Sequence, residues 1–137
     1  MHASLRRWAI ASLLTGLTAL PGSTVALSAH HTISAFYDVT RQATLKGVVV
    51  TVEWKNPHSF IHLEVTGANG GVAPWDVETQ ALYVLRQRHV DLEHQIKPGD
   101  AISATVCVAK DGAAKGWLRE LVTPAGTTID LSGAGGC

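Results

Sequence analysis

The chain has 137 residues, with 11 Lys and Arg against 11 Asp and Glu, so its formal net charge is zero. No basic stripe is available to neutralise phosphates, which excludes nucleic acid as the expected partner. The length allows one small domain with a single core, and no internal repeat or long linker divides it.

At the start, Arg6 and Arg7 precede an apolar run from Trp8 to Leu20, followed by Pro21-Gly22 and small residues up to Ala29. That order is the pattern of a secretory signal peptide, and the apolar run falls short of the roughly 20 residues that cross a bilayer. The expectation is a leader over residues 1–29, cut after Ser28 or after Ala29. The product is a periplasmic or secreted chain with no membrane insertion. Removing Arg6 and Arg7 leaves nine basic against eleven acidic side chains, a net charge of −2. The leader has no cysteine for a lipid anchor. The mature chain then begins at or beside His30-His31, with an arm over residues 30–43.

A β domain is expected over residues 44–131. Val48-Val49-Val50-Thr51-Val52 is β-branched and reads as the centre of a strand over residues 44–55, with Gly47 as a bulge. Asn56-Pro57 breaks the ladder, because proline donates no hydrogen bond to it. In residues 59–65, Ile61, Leu63 and Val65 alternate with Phe60, His62 and Glu64, the signature of a half-buried strand. Gly67-Ala68-Asn69-Gly70-Gly71 is a hairpin turn, and residues 72–78 return as a third strand.

Residues 79–88 change period: Ala81, Leu82 and Leu85 sit at helical spacing, with Thr79 as N-cap and Arg86 and Arg88 near the C-terminal end. Lys97-Pro98-Gly99-Asp100 is a turn before a fourth strand whose Ile102, Ala104, Val106 and Val108 share one face. Lys110-Asp111-Gly112 turns into a fifth strand over residues 116–123, and a short sixth is expected near residues 127–131. Residues 132–137 form a Gly-rich tail. Three strands, a helix, then two strands is the order of a small OB-like barrel, an all-β class with one short helix. An open sheet with one covering helix is the alternative. Cys107 and Cys137, the two cysteines, either pair in an oxidising compartment, closing a loop worth about 3–4 kcal/mol, or remain two thiols.

The densest local pattern is Glu53-Trp54-Lys55-Asn56-Pro57-His58-Ser59-Phe60-Ile61. With His30-His31, Tyr37-Asp38, Thr44-Leu45-Lys46-Gly47, Trp75 to Glu78 and Ile96 to Asp100, it resembles a family of small exported bacterial proteins filed as a domain of unknown function. The resemblance covers nearly all of the mature chain and implies export and a small β domain. It implies no activity. The chain departs from it at His89-Val90, where the family tends to have Gly-Trp, and in its two cysteines.

Several residues carry candidate chemistry. If His30 is the first residue, its α-amine and ring form a chelate that a further imidazole completes for Cu(II). If Ala29 is first, a histidine in third place gives another square-planar copper chelate. The plainer alternative is a solvated end whose imidazoles do nothing. His58 is either a turn histidine bonding a backbone carbonyl or a metal or ligand contact at the barrel mouth. His62 shares its strand face, but about 13 Å between the two Cα atoms forbids one shared ion. Glu78 is a candidate oxygen ligand beside His58. Glu53 and Glu78 are either an acid–base pair or strand-end charges. Trp54, Trp75 and Trp117 are either an aromatic floor or core. No phosphate loop, G-x-S-x-G, H-E-x-x-H or EF-hand pattern is present.

The leading expectation is a non-enzymatic exported binding module holding copper or zinc through His30, His31, His58 and Glu78. A second is an interaction or structural module that presents Phe60, His62 and Glu64 to an envelope protein. A third is a copper enzyme doing oxidative chemistry.

Overall fold

A computed structural model of the protein describes residues 33–132. The leader, His30, His31 and Cys137 lie outside the described residues. A 3₁₀ turn at Ile33–Ala35 leads into six strands, β1 (Tyr37–Glu53), β2 (His58–Thr66), β3 (Val72–Gln80), β4 (Ala101–Ala109), β5 (Lys115–Val122) and β6 (Thr128–Asp130). One short helix, α1 (Leu82–Gln87), lies between β3 and β4. The strands follow the order β3-β2-β1-β4-β5-β6, and β3 also pairs with β5. Five strands therefore run in a ring. All its pairings are antiparallel except the β3–β5 closure. This is the OB-like order that the spacing of strands and helix implies. Among the described residues no helix is long and apolar enough to cross a membrane.

The ring encloses the main core. Ile61, Leu63 and Val65 from β2 meet Ile102, Ala104 and Val106 from β4, with Val77, Leu118 and Leu121 between them. Leu85 of α1 and Leu92 beyond it are fully buried in the same cluster. A second, smaller cluster forms on the outside of the ring from Tyr37, Cys107, Ala109 and Trp117, with Ile33 and Ala113 packed against it. Successive residues of β4 feed opposite clusters, since side chains alternate across a strand. Cys107, which belongs to the outer cluster, is disulfide-bonded.

Three local expectations are corrected. The first strand begins at Tyr37 rather than residue 44, because its early half pairs with β4 although its own sequence is polar. The bulge falls between Val49 and Thr51, not at Gly47. There the inward set changes from Leu45 and Val49 to Val52 and Trp54, as a one-residue slip requires. Gly47 instead sits where a Cβ would lie 2.6 Å from the Glu64 carbonyl oxygen, so it lets β2 approach closely. The bulged segment is held from outside: Gly99 N donates to Val49 O at 2.7 Å and Val49 N donates to Asp100 O at 2.9 Å. Thr79 is not a cap; it is a buried residue of β3, and Ala81 begins the helix without a side-chain cap.

The end of α1 explains the departure at His89. His89 N donates to Arg86 O at 3.0 Å and Val90 N donates to Leu85 O at 2.9 Å, the paired bonds of a Schellman stop. That stop needs a left-handed residue at position 89, and His89 adopts φ 58° there. The Gly implied by the resemblance would meet the need without a Cβ penalty. His89→Gly is expected to stabilise the domain by roughly 1 kcal/mol in urea unfolding; a loss of stability would show that the His89 side chain contributes something the backbone does not require.

Candidate functional site

His58 opens β2 directly after a cis Asn56-Pro57 bond. The connection from β1 is closed by Ser59, whose buried hydroxyl lies 3.4 Å from Lys55 N and accepts its hydrogen bond. His58 and Phe60 then face outward while Ser59 and Ile61 face the core. On β3, Glu78 is the register partner of Phe60, which places its carboxylate diagonally across from His58. His58 Nδ1 lies 2.5 Å from Glu78 Oε1. The Tyr37 hydroxyl donates to Glu78 Oε2. One carboxylate thus gathers the first residue of β1, the first of β2 and the end of β3.

With both oxygens accepting, Glu78 requires His58 to carry its proton on Nδ1, which leaves Nε2 as the ring atom available to a ligand. Trp117 fixes the ring plane: its centroid is 4.9 Å from that of His58 at 80°, edge to face. Tyr37 packs on the same indole at 6.0 Å. Burial, then the bond to Glu78 and its charge, push the Tyr37 phenol well above its ordinary range. Glu78 therefore meets a neutral phenol that can only donate to it.

These groups line a cavity of about 560 Å³. Its walls include Phe36, Pro57, Phe60 and Trp117, and its rim carries Lys110, Asp111 and Lys115. The segment before β1 is pinned over the cavity by the β4–β5 turn. Lys110 N donates to Phe36 O at 2.9 Å, and Lys110 Nζ donates to Ser34 O at 2.6 Å. Ile33, Ala35 and Phe36 accordingly form one wall.

Of the residues singled out as metal ligands, the structure brings His58 and Glu78 together, and His30 and His31 lie outside the described residues. Among the described residues no three His, Cys, Asp or Glu side chains converge as a metal group. His62 shares the outward face but has its own partners: Nδ1 is 2.8 Å from Asp76 Oδ1, and Nε2 is 3.8 Å from Glu53 Oε1. Glu53 is bonded by Lys55, which holds its carboxyl below the usual range. It is separated from Glu78 by β2, since both are register partners of Phe60. Phe60 lines the cavity and His62 is half-buried, so of the strand face offered to a partner only Glu64 is fully open. Trp54 and Trp75 pack on the main core, while Trp117 belongs to the site.

Tyr37 and Lys115 escape sequence reasoning. Tyr37 stands next to a polar stretch, Asp38 to Gln42, that carries no alternation, and only its place in the Tyr37-Asp38 block marks it.

The raised phenol gives a pH test. An unfolded tyrosine ionises near pH 10, whereas folded Tyr37 holds its proton to higher pH. Its stabilising contribution is whole below pH 10 and is lost as pH climbs from there toward the folded value. Tyr37→Phe is expected to cost roughly 1–3 kcal/mol at neutral pH and to flatten the alkaline fall in stability. Thermal melts between pH 8 and roughly 11 read both effects; an unchanged alkaline limb would mean that Tyr37 is not the residue responsible.

No curated protein and no solved structure matches the chain. A family model described as a family of unknown function, DUF6152, matches residues 19–119, and the protein belongs to that family.

Proposed function

We propose that the protein is an exported, non-enzymatic binding module that holds a transition metal ion, copper or zinc, at the mouth of the His58 cavity. The observation that carries this reading is the Glu78–His58 pair. A carboxylate bonded to one ring nitrogen fixes the tautomer, turns the other nitrogen outward and raises its basicity, which is how proteins prepare imidazole ligands for metals. Imidazole nitrogen suits both copper and zinc.

His58 Nε2 is then the ligand supplied by the folded domain, and His30 and His31 supply the others. Ile33 lines the cavity, and His31 precedes it by two residues, a reach of about 7 Å for extended chain. Glu78, with both oxygens engaged by Tyr37 and His58, acts behind the imidazole as its orienting carboxylate instead of as an oxygen ligand. The location fits a binding role as well. The cavity lies between the β1–β2 connection and the β4–β5 turn, against β2 and β3, where OB barrels gather their ligands.

Elemental analysis of protein carrying its processed amino terminus, stripped and then loaded with copper or zinc, is expected to return one ion per chain. His58→Ala should abolish that binding, and Glu78→Gln should weaken it by roughly 10–100-fold while leaving the circular dichroism unchanged. Absence of stoichiometric metal, or binding indifferent to His58→Ala, would end the proposal.

A further inference from the structure

A metal ion and its donor atoms would fill only a small part of a cavity of about 560 Å³, which lies within the range of small-molecule sites. The lining shows what else it suits. Glu78 has both oxygens engaged, Asp111 Oδ1 accepts from Ala113 N at 3.0 Å, and Lys110 is tied to Ser34 O. Among the described residues Lys115 makes no side-chain hydrogen bond or ion pair, yet it stands on the rim. The carboxylates of the cavity thus already accept hydrogen bonds from within it, and the Lys115 ammonium is the charged group on the rim without such a partner among the described residues.

Lys115 lies two residues before Trp117 on β5 and so on the same strand face. The aromatic lining open to a ligand is the half-buried Phe60 and the exposed ring of Phe36 on the segment before β1, with Trp117 almost wholly buried. Flat faces favour planar ligands through stacking, and an ammonium at their edge favours an anionic substituent.

We propose that this cavity binds a small organic anion with a planar apolar body, an aryl carboxylate in chemical class, its carboxylate paired with Lys115 and its ring against Phe60 and Phe36. The inference rests on the cavity being the binding site and does not require the metal, so it is tested on chelator-treated protein.

The probes are 2-naphthoate and its neutral isostere 2-naphthalenemethanol, followed by amide and indole NMR shifts and by calorimetry. Naphthoate is expected to move the Trp117 indole signal and the Lys115 and His58 amides, and to bind about tenfold tighter than the alcohol. Lys115→Gln, an exposed substitution that spares the fold, should remove that advantage and leave the alcohol unchanged. Equal binding of acid and alcohol would overturn the proposal, as would indifference to Lys115→Gln. So would shifts confined to the smaller cavity of about 260 Å³ at Trp54, Tyr83 and Arg86. Failure of metal loading in the separate experiment leaves these outcomes untouched.

Discussion

Three residue pairs close the ring, and the candidate site exists because they do. Asp76 faces Lys115, Val77 faces Gly116 and Glu78 faces Trp117 in the parallel β3–β5 pairing. Asp76 N donates to Ala114 O at 3.0 Å, at the threshold of the same pairing. Parallel pairing is slightly weaker per residue than antiparallel pairing, and a stretch this short needs close packing to persist. Gly116 provides it: a Cβ there would fall 2.4 Å from a Val106 methyl, so only glycine lets β5 seat on β4 at this point. The closure buries Val77 in the main core and sets Glu78 beside Trp117 on the outside. Without it, β3 would be an edge strand, and the carboxylate that organises His58 would face water.

Outside the ring, the segment before β1 supplies what the sheet lacks. Small domains have little surface to spare for a second core, yet Tyr37, Cys107, Ala109 and Trp117 make one. Tyr37 is covered only because the chain ahead of it folds along the β4–β5 turn, held by Lys110 at two points. Its phenol donates to one oxygen of Glu78, so that the other is left for His58. Packing on the outer face thus positions the carboxylate of the site. The same segment leads directly toward His30 and His31, which is why export, processing and metal binding form a single proposal.

Much of the ring is legible in the sequence, because alternation in residues 59–65 and 72–78 reports which side of a strand is buried, and the helix interrupts it with a different period. What fails does so for physical reasons. The early half of β1 is polar because Val39 to Gln42 are exposed on both faces, so no alternation marks it. Thr79 has the chemistry of a cap, but tertiary pairing with Ser59 extends β3 through it. The bulge at Val50 hides in a β-branched run whose composition is uniform on both faces. Of the site, His58 and Glu78 can be paired from strand order alone. Tyr37 cannot, since its contact with Glu78 spans 41 residues and depends on the ring being closed.

The contrast between His58 and His62 shows why spacing is a poor guide to function here. Both lie on the outward face of β2, and each meets a carboxylate from β3, Glu78 for one and Asp76 for the other. By residue type and period they are equivalent. Their surroundings separate them. His62 has Phe60 stacked beside it at 6.4 Å and a second carboxylate, Glu53, near its other nitrogen, and that nitrogen is buried with no hydrogen-bond partner. Both of its ring nitrogens face carboxylates, so neither is directed at open space. His58 has one carboxylate behind it, an indole at its flank and a cavity in front. The same pairing of imidazole with carboxylate therefore gives a closed structural contact at one position and an open donor four residues earlier, and the difference is made by the segment and turn that wall the cavity, not by β2 itself.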